Sequence, residues 1–196
     1  MRVIAGSAKK THLLVPRGIV RPTSDRVREA VFSMLGERVP GAKVLDLFAG
    51  TGALGIEALS RGAGSAVFVE KNRRAAQSIR ANLERTGLSS LASIACDDVS
   101  TWMKRRPAGP FDLIFADPPY LRNAGPSPYA AALLLSPDLP RMIAPAGLLV
   151  LESPQSPAPA VAPPWRVRHA RSYGETLVQL IGLPDLAEEN SGPSCF

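Results

Sequence analysis

From residue 43 onward, short apolar runs alternate with amphipathic stretches, and this alternation limits the fold more than any other feature. "KVLDLFA" (43–49), "SAVFVE" (65–70), "LASIAC" (91–96), "FDLIFA" (111–116) and "GLLVLES" (147–153) read as strands, being short and rich in branched or aromatic residues. Between them, "NRRAAQSIRANLERTG" (72–87) predicts a helix capped by Asn72 and closed by Gly87. A helix follows the glycines of the first turn through about Ser60, a short one forms around "VSTWMK", and residues 129–145 are helical in parts. Such alternation predicts an α/β fold, a parallel sheet with helices on both faces. After a Pro-rich stretch at 154–164, "WRVRHARSYGETLVQLIGL" reads as two antiparallel strands around a Tyr-Gly turn at the sheet edge.

The preceding residues differ in character. "VIAGSAKKTHLLV" (3–15) suggests two short strands around a Gly-Ser-Ala-Lys-Lys turn. "RPTSDRVREAVFSMLG" (21–36) is a helix with Thr23 or Ser24 as its cap and Gly36 as its stop. Val27, Ala30, Val31, Met34 and Leu35 make its apolar face, with Arg26 and Arg28 off that face. The expected division is a basic extension at 1–36, a Rossmann-like domain at 37–183 and a frayed tail at 184–196.

The net charge of +6 is concentrated in that extension. Arg2, Lys9, Lys10, Arg17, Arg21, Arg26 and Arg28 face Asp25 alone, and the remainder of the chain balances. A neutral body with a basic arm suggests a polyanion, and these seven residues are the candidate phosphate contacts. A hydrophobic content of 45% and a charged content of 20% fit a globular chain with no membrane segment. Two isolated histidines and two distant cysteines suggest neither a metal site nor a disulfide, in keeping with a reducing cytoplasm.

"DLFAGTGALGIEAL" (46–59) places Gly50, Gly52 and Gly55 between a strand and a helix, with Glu70 ending the next strand. The letters satisfy a dinucleotide fingerprint. Asp46 favours another ligand, because an acid at the end of the first strand opposes a pyrophosphate and suits a cation. S-adenosylmethionine carries a sulfonium and an amino group and no phosphate. Glu70 is positioned to accept the two ribose hydroxyls, and Asp98 or its neighbour Asp97 the adenine amino group, although either aspartate could instead cap a helix. The candidate cofactor set is Asp46, Phe48, Ala49, Gly50, Gly52, Glu70, Lys71, Asp97, Asp98 and Asp117.

The fourth strand ends in Asp117-Pro118-Pro119-Tyr120. Residues before proline are driven into extended conformation, and proline has no N–H. The loop therefore presents acceptors, the Asp117 carboxylate and the Pro118 carbonyl, which together complement an NH₂ group. Tyr120 adds a ring for stacking a planar base. An exocyclic amine so held has its lone pair directed outward, and positioning supplies much of the rate.

Asp-Pro-Pro-Tyr resembles the signature of methyltransferases acting on amino groups of adenine, cytosine or guanine. Together with "MRVIAGSAKKTHLLVP", "RPTSDRVREAVFSMLG", "VLDLFAGTGALGIEALSRGA" and "YGET", it makes the chain similar, over about residues 1–181, to the bacterial small-subunit rRNA guanine-N2 methyltransferases. The resemblance implies a seven-stranded Rossmann-like sheet with a short N-terminal extension. It also implies a monomer that uses S-adenosylmethionine to methylate one guanine of 16S rRNA in the small subunit or a late precursor. The rival readings are a DNA or RNA adenine/cytosine amino-methyltransferase and a non-enzymatic RNA-binding assembly factor.

Overall fold

A computed structural model describes residues 1–16, 24–105, 109–119 and 128–184. Among these, seven strands form one sheet: β1 (Lys43–Leu47), β2 (Ser65–Val69), β3 (Ala92–Ala95), β4 (Phe111–Ala116), β5 (Ile143–Pro154), β6 (Arg166–Tyr173) and β7 (Thr176–Gly182). Their order is β3-β2-β1-β4-β5-β7-β6. The first five strands are parallel, β7 runs antiparallel to β5, and β6 closes the edge antiparallel to β7. Because the chain leaves β1 toward β3 and returns at β4, the strand order reverses between β1 and β4. Open α/β sheets bind ligands at such a point.

The central strands are buried on both faces, and alternate residues supply two cores. Val44, Phe68, Leu113, Phe115, Leu148 and Val150 face one way, while Leu45, Leu47, Ile114, Ala116, Leu149 and Leu151 face the other. Helices α1 (Asp25–Leu35), α2 (Ala53–Ser60) and α3 (Arg73–Thr86) cover the first face. The second is covered by α4 (Val99–Lys104), α5 (Pro128–Leu134) and α6 (Leu139–Met142), with Trp165 donating its indole N–H to the Leu134 carbonyl at 2.9 Å. None of the described helices is long and apolar enough to cross a membrane.

The helix ends agree with their sequence signals. Ser24 caps α1 through a bond from the Val27 N–H, Asn72 caps α3, and Gly36 and Gly87 follow at positive φ. Two features of the extension differ from expectation. Residues 3–15 do fold back on themselves, but too briefly to make two strands: Arg2 bridges His12, the Val3 N–H donates to the Thr11 carbonyl at 3.0 Å, the Lys10 N–H to the Val3 carbonyl at 2.9 Å and the Leu13 N–H to the Met1 carbonyl at 3.1 Å. The N–H groups that this pairing leaves over are satisfied by α2. Glu57, fully buried, accepts from the N–H groups of Ile4 and Ala5 at 2.7 and 3.0 Å, and Ser60 accepts from those of Ser7 and Ala8. Gly6 lies so close that a Cβ there would stand 1.7 Å from the Ser60 carbonyl oxygen, and its φ is +82°.

The second difference is Arg28, which is not an outward-facing cation. Its side chain is wholly buried and donates to the Arg2 carbonyl at 2.6 Å and to Asp25 at 2.8 Å. The arm covers that flank of α1, which widens the buried face beyond the helical stripe read from the sequence. Val3, Ala8 and Leu13 of the arm share one core with α1, α2 and the sheet.

Candidate active site

A cleft of about 620 Å³ opens at the carboxyl ends of β1, β2 and β4. Its position follows from register. Asp46 lies level with Phe68 on β2 and Phe115 on β4, so Glu70 and Asp117 emerge beside it as their strands end. The three glycines divide the work behind it. Gly50 and Gly52 take φ of +57° and +77° to turn the chain, and the backbone of Gly50 and Thr51 borders the cleft. Gly55 allows α2 to lie on the sheet, since a Cβ there would be 2.3 Å from Phe68. Phe48 also has a positive φ, +57°, a conformation disfavoured for a bulky residue and held here at the mouth of the site.

Among the described residues, six carboxylates line this cleft: Asp46, Glu70, Asp98, Asp117, Glu152 and Glu175. The only lysine or arginine side chain among its described lining residues is Lys71. A pyrophosphate would meet repulsion here, whereas a ligand with cationic groups is matched. Asp46 is buried and accepts from the Gly55 N–H at 2.9 Å. Burial raises its pKa to about 8, and the charges of Asp117 and Glu70 push in the same direction, while the Gly55 bond opposes them. Glu70 ties the loop to β2, accepting from the Gly50 N–H at 2.9 Å and the Asn72 N–H at 2.7 Å. Each oxygen retains a lone pair, so reception of a diol remains compatible with these bonds.

Asp97 and Asp98 separate clearly. Asp98 borders the cleft and caps α4, with its Oδ1 accepting from Ser100 and Thr101. The Ser100 hydroxyl bond is the largest cause of its lowered pKa. Asp97 instead pairs with Arg105 at 2.7 Å and is not among the lining residues. Phe48, Ala49, Gly50, Lys71, Asp117, Pro118 and Pro119 all border the cleft, and Gly52 lies behind it against Ile56, Phe68 and Ile79. Tyr120, Arg17 and Arg21 lie outside the described residues. Of the other basic candidates, Arg2, Lys9, Lys10 and Arg26 are exposed.

Sequence reasoning missed several neighbours. Tyr129 on α5 stands edge-on to Phe48 at 6.2 Å, with the Lys71 ammonium 5.4 Å from its ring. Met1, Tyr173 and Thr176 also reach the rim. Tyr173 and Thr176 belong to the "YGET" stretch that carries the resemblance, but nothing local places them, Met1 or Tyr129 at the cleft, because each arrives from an element distant in sequence.

Residues 1–182 match the family described as "Conserved hypothetical protein 95". The chain belongs to this family. The family match runs from the arm through the last strand, so it includes every described element of the cleft. YlbH of Bacillus subtilis, named provisionally as an rRNA methyltransferase, is 39% identical over 156 residues, covering 78% of this chain and 82% of YlbH. Ribosomal RNA small subunit methyltransferase D of Escherichia coli K12 is 37% identical over 124 residues, 63% of this chain and 62% of its own length. The solved structure of Escherichia coli yhhF, provisionally named a methyltransferase, aligns with a TM-score of 0.75 at 29% identity, covering 93% of this chain and 97% of that one. The fold is the Rossmann-like sheet of S-adenosylmethionine-dependent methyltransferases, extended at its N-terminus.

Proposed function

We propose that this protein transfers a methyl group from S-adenosylmethionine to the exocyclic N2 amine of a guanine in 16S rRNA, acting as a cytoplasmic monomer on the small ribosomal subunit or its late precursor. The observation that carries this reading is the acid-lined cleft with Asp117 and Pro118 at its edge, at the strand-order reversal. The rRNA methyltransferase names of the Bacillus subtilis and Escherichia coli relatives support the substrate class.

The residues present fit the cofactor. Glu70 receives the ribose hydroxyls, Asp98 the adenine amino group, and Asp46 and its neighbouring carboxylates the cationic end. S-adenosylmethionine, when bound, supplies an electrophilic methyl group. The chain's own contribution is to hold the amine. Asp117 and the Pro118 carbonyl accept its two hydrogens and favour a pyramidal nitrogen with the lone pair directed into the cleft. Tyr120 is assigned the stacking contact to the base, which must leave its helix to reach the cleft. No strong base is required, because the nitrogen becomes acidic as it is alkylated. Arg2, Lys9, Lys10 and Arg26, with Arg17 and Arg21, are assigned to RNA phosphates.

The test is incubation with labelled S-adenosylmethionine and undermethylated small subunits, naked 16S rRNA, or DNA, followed by nucleoside mass spectrometry. N2-methylguanosine in the subunit arm is expected. Label appearing only in methylated adenine or cytosine of DNA, or in no nucleic acid, overturns the assignment.

A further inference from the structure

Asn82 on α3 is fully buried and belongs to no part of the site described so far. Its side chain uses both ends. Oδ1 accepts from the Leu14 N–H at 2.7 Å, and Nδ2 donates to the Leu14 carbonyl at 3.1 Å, so the amide pairs with one arm residue as a neighbouring strand would. Nδ2 also donates to the Thr51 carbonyl at 3.0 Å. Thr51 stands between Gly50 and Gly52, both at positive φ, in the turn that borders the cleft. One side chain thus joins the arm to the glycine loop. A second link runs parallel to it, because the Thr51 hydroxyl contacts the Met1 sulfur at 3.7 Å and the Met1 carbonyl accepts from Leu13.

We propose that Asn82 is a positioning residue that makes the N-terminal arm a structural part of the cofactor pocket, so that arm docking and cofactor binding stabilise one another. A turn flanked by two glycines has weak conformational preferences of its own. Its geometry must be imposed by outside groups, here Glu70 from β2, Asn82 from α3 and Met1 from the arm. The Asn82 amide is held in turn by Leu14, since burial leaves it no water to exchange with. Release of the arm would leave the amide half-satisfied and free to rotate away from Thr51. By linkage, whatever the arm contributes to cofactor affinity, the cofactor returns to arm docking. The cofactor pocket therefore senses whether the arm, the proposed RNA contact, is seated.

This inference rests on the proposed cofactor, and the experiment separates the two. S-adenosylhomocysteine is titrated calorimetrically into the full-length protein, Asn82→Ala and Ser60→Ala. Binding to the parent is required; its absence overturns the cofactor reading itself and the linkage with it. With the parent binding, Asn82→Ala is expected to weaken affinity about tenfold, the scale of one lost buried hydrogen bond. Ser60→Ala, which loosens the arm at Ala5 and Ala8 but leaves the Leu14 and Thr51 bonds in place, is expected to weaken it by a smaller factor, about threefold. In methylation assays, Asn82→Ala should raise the KM for S-adenosylmethionine and recover parent turnover at saturation, a split that partial unfolding does not produce. Hydrogen exchange on the unmutated protein gives a reading independent of any variant's folding. S-adenosylhomocysteine should slow exchange of the Leu14 amide, which Asn82 holds, at least as much as that of the Ala8 amide, which Ser60 holds. Parent-like affinity in Asn82→Ala, or a Leu14 amide slowed less than the Ala8 amide or not at all, overturns the proposal.

Discussion

Asp46 has the strongest consequence at the level of a single residue. Its folded-state pKa of about 8 lies above the ordinary 3.8, so its stabilising contribution is complete below about pH 4 and is lost as pH rises through 8. Asp46→Asn keeps an acceptor for Gly55 and removes the ionisation. Urea titrations should show the variant gaining on the parent between pH 5 and about pH 8.5, by roughly 3–5 kcal/mol at the upper end. The same substitution should weaken S-adenosylmethionine binding, because the carboxylate complements its cationic groups. In the parent, a bound cation lowers the Asp46 pKa, so calorimetry at pH 7 in buffers of different ionisation enthalpy should show proton release on binding. Asp117 is expected to act on turnover. Asp117→Ala should abolish single-turnover methylation while cofactor affinity stays within about threefold, and Asp117→Asn, retaining one acceptor oxygen, should keep part of the rate. Parent-like methylation by Asp117→Ala would place the chemistry elsewhere.

Among the elements, the arm shows least of its partners in its sequence. The Gly-Ser-Ala-Lys-Lys segment makes the turn of a short antiparallel pairing, as its letters suggest, but Glu57 and Ser60 take the remaining N–H groups, and those partners are invisible from residues 3–15 alone. Gly6 is needed at the contact for two reasons, its positive φ and the Ser60 carbonyl behind it. Gly6→Ala should destabilise the protein by roughly 2–4 kcal/mol, and limited proteolysis should then cut within residues 1–16 before the sheet is attacked. An unchanged denaturation midpoint would mean that the arm's docking adds little. The helices of the sheet, by contrast, carry their own punctuation: Asn72 and Gly87 bound α3, and Asp98 starts α4.

For the whole molecule, charge and stability lead to separable expectations. Replacing the exposed Arg2, Lys9, Lys10 and Arg26 by Gln should flatten the salt dependence of RNA binding, each lost phosphate contact reducing the log–log slope by about 0.7 on single strands. Arg28→Gln should lower thermal stability without changing that slope beyond the loss of the arm's seat, because its guanidinium faces Arg2 and Asp25 inside the protein. S-adenosylhomocysteine at a hundredfold excess over its Kd should stabilise the fold by about 2.7 kcal/mol, seen as a higher Tm. The acidic cleft and the basic arm meet across Met1, so the molecule is strongly polarised over a short distance.

The parallel core is legible in the chain's letters, because strand-length apolar runs alternating with capped helices leave few other ways to bury both sheet faces. So are the strand ends that carry Asp46, Glu70 and Asp117, since a residue's place along a strand is a local property and the strand order then brings such ends together. Partnership, by contrast, is settled by how distant segments pack. Arg28 looks like a surface cation until the arm is laid over it. Asp97 and Asp98 are equivalent letters until Arg105 takes one and the cleft the other. Asn82 reads as one more polar residue of an amphipathic helix until Leu14 and Thr51 arrive from opposite sides. Periodicity reports which way a side chain faces relative to its own element. A buried polar group is defined by what satisfies it, and those partners come from segments up to 68 residues away in the chain.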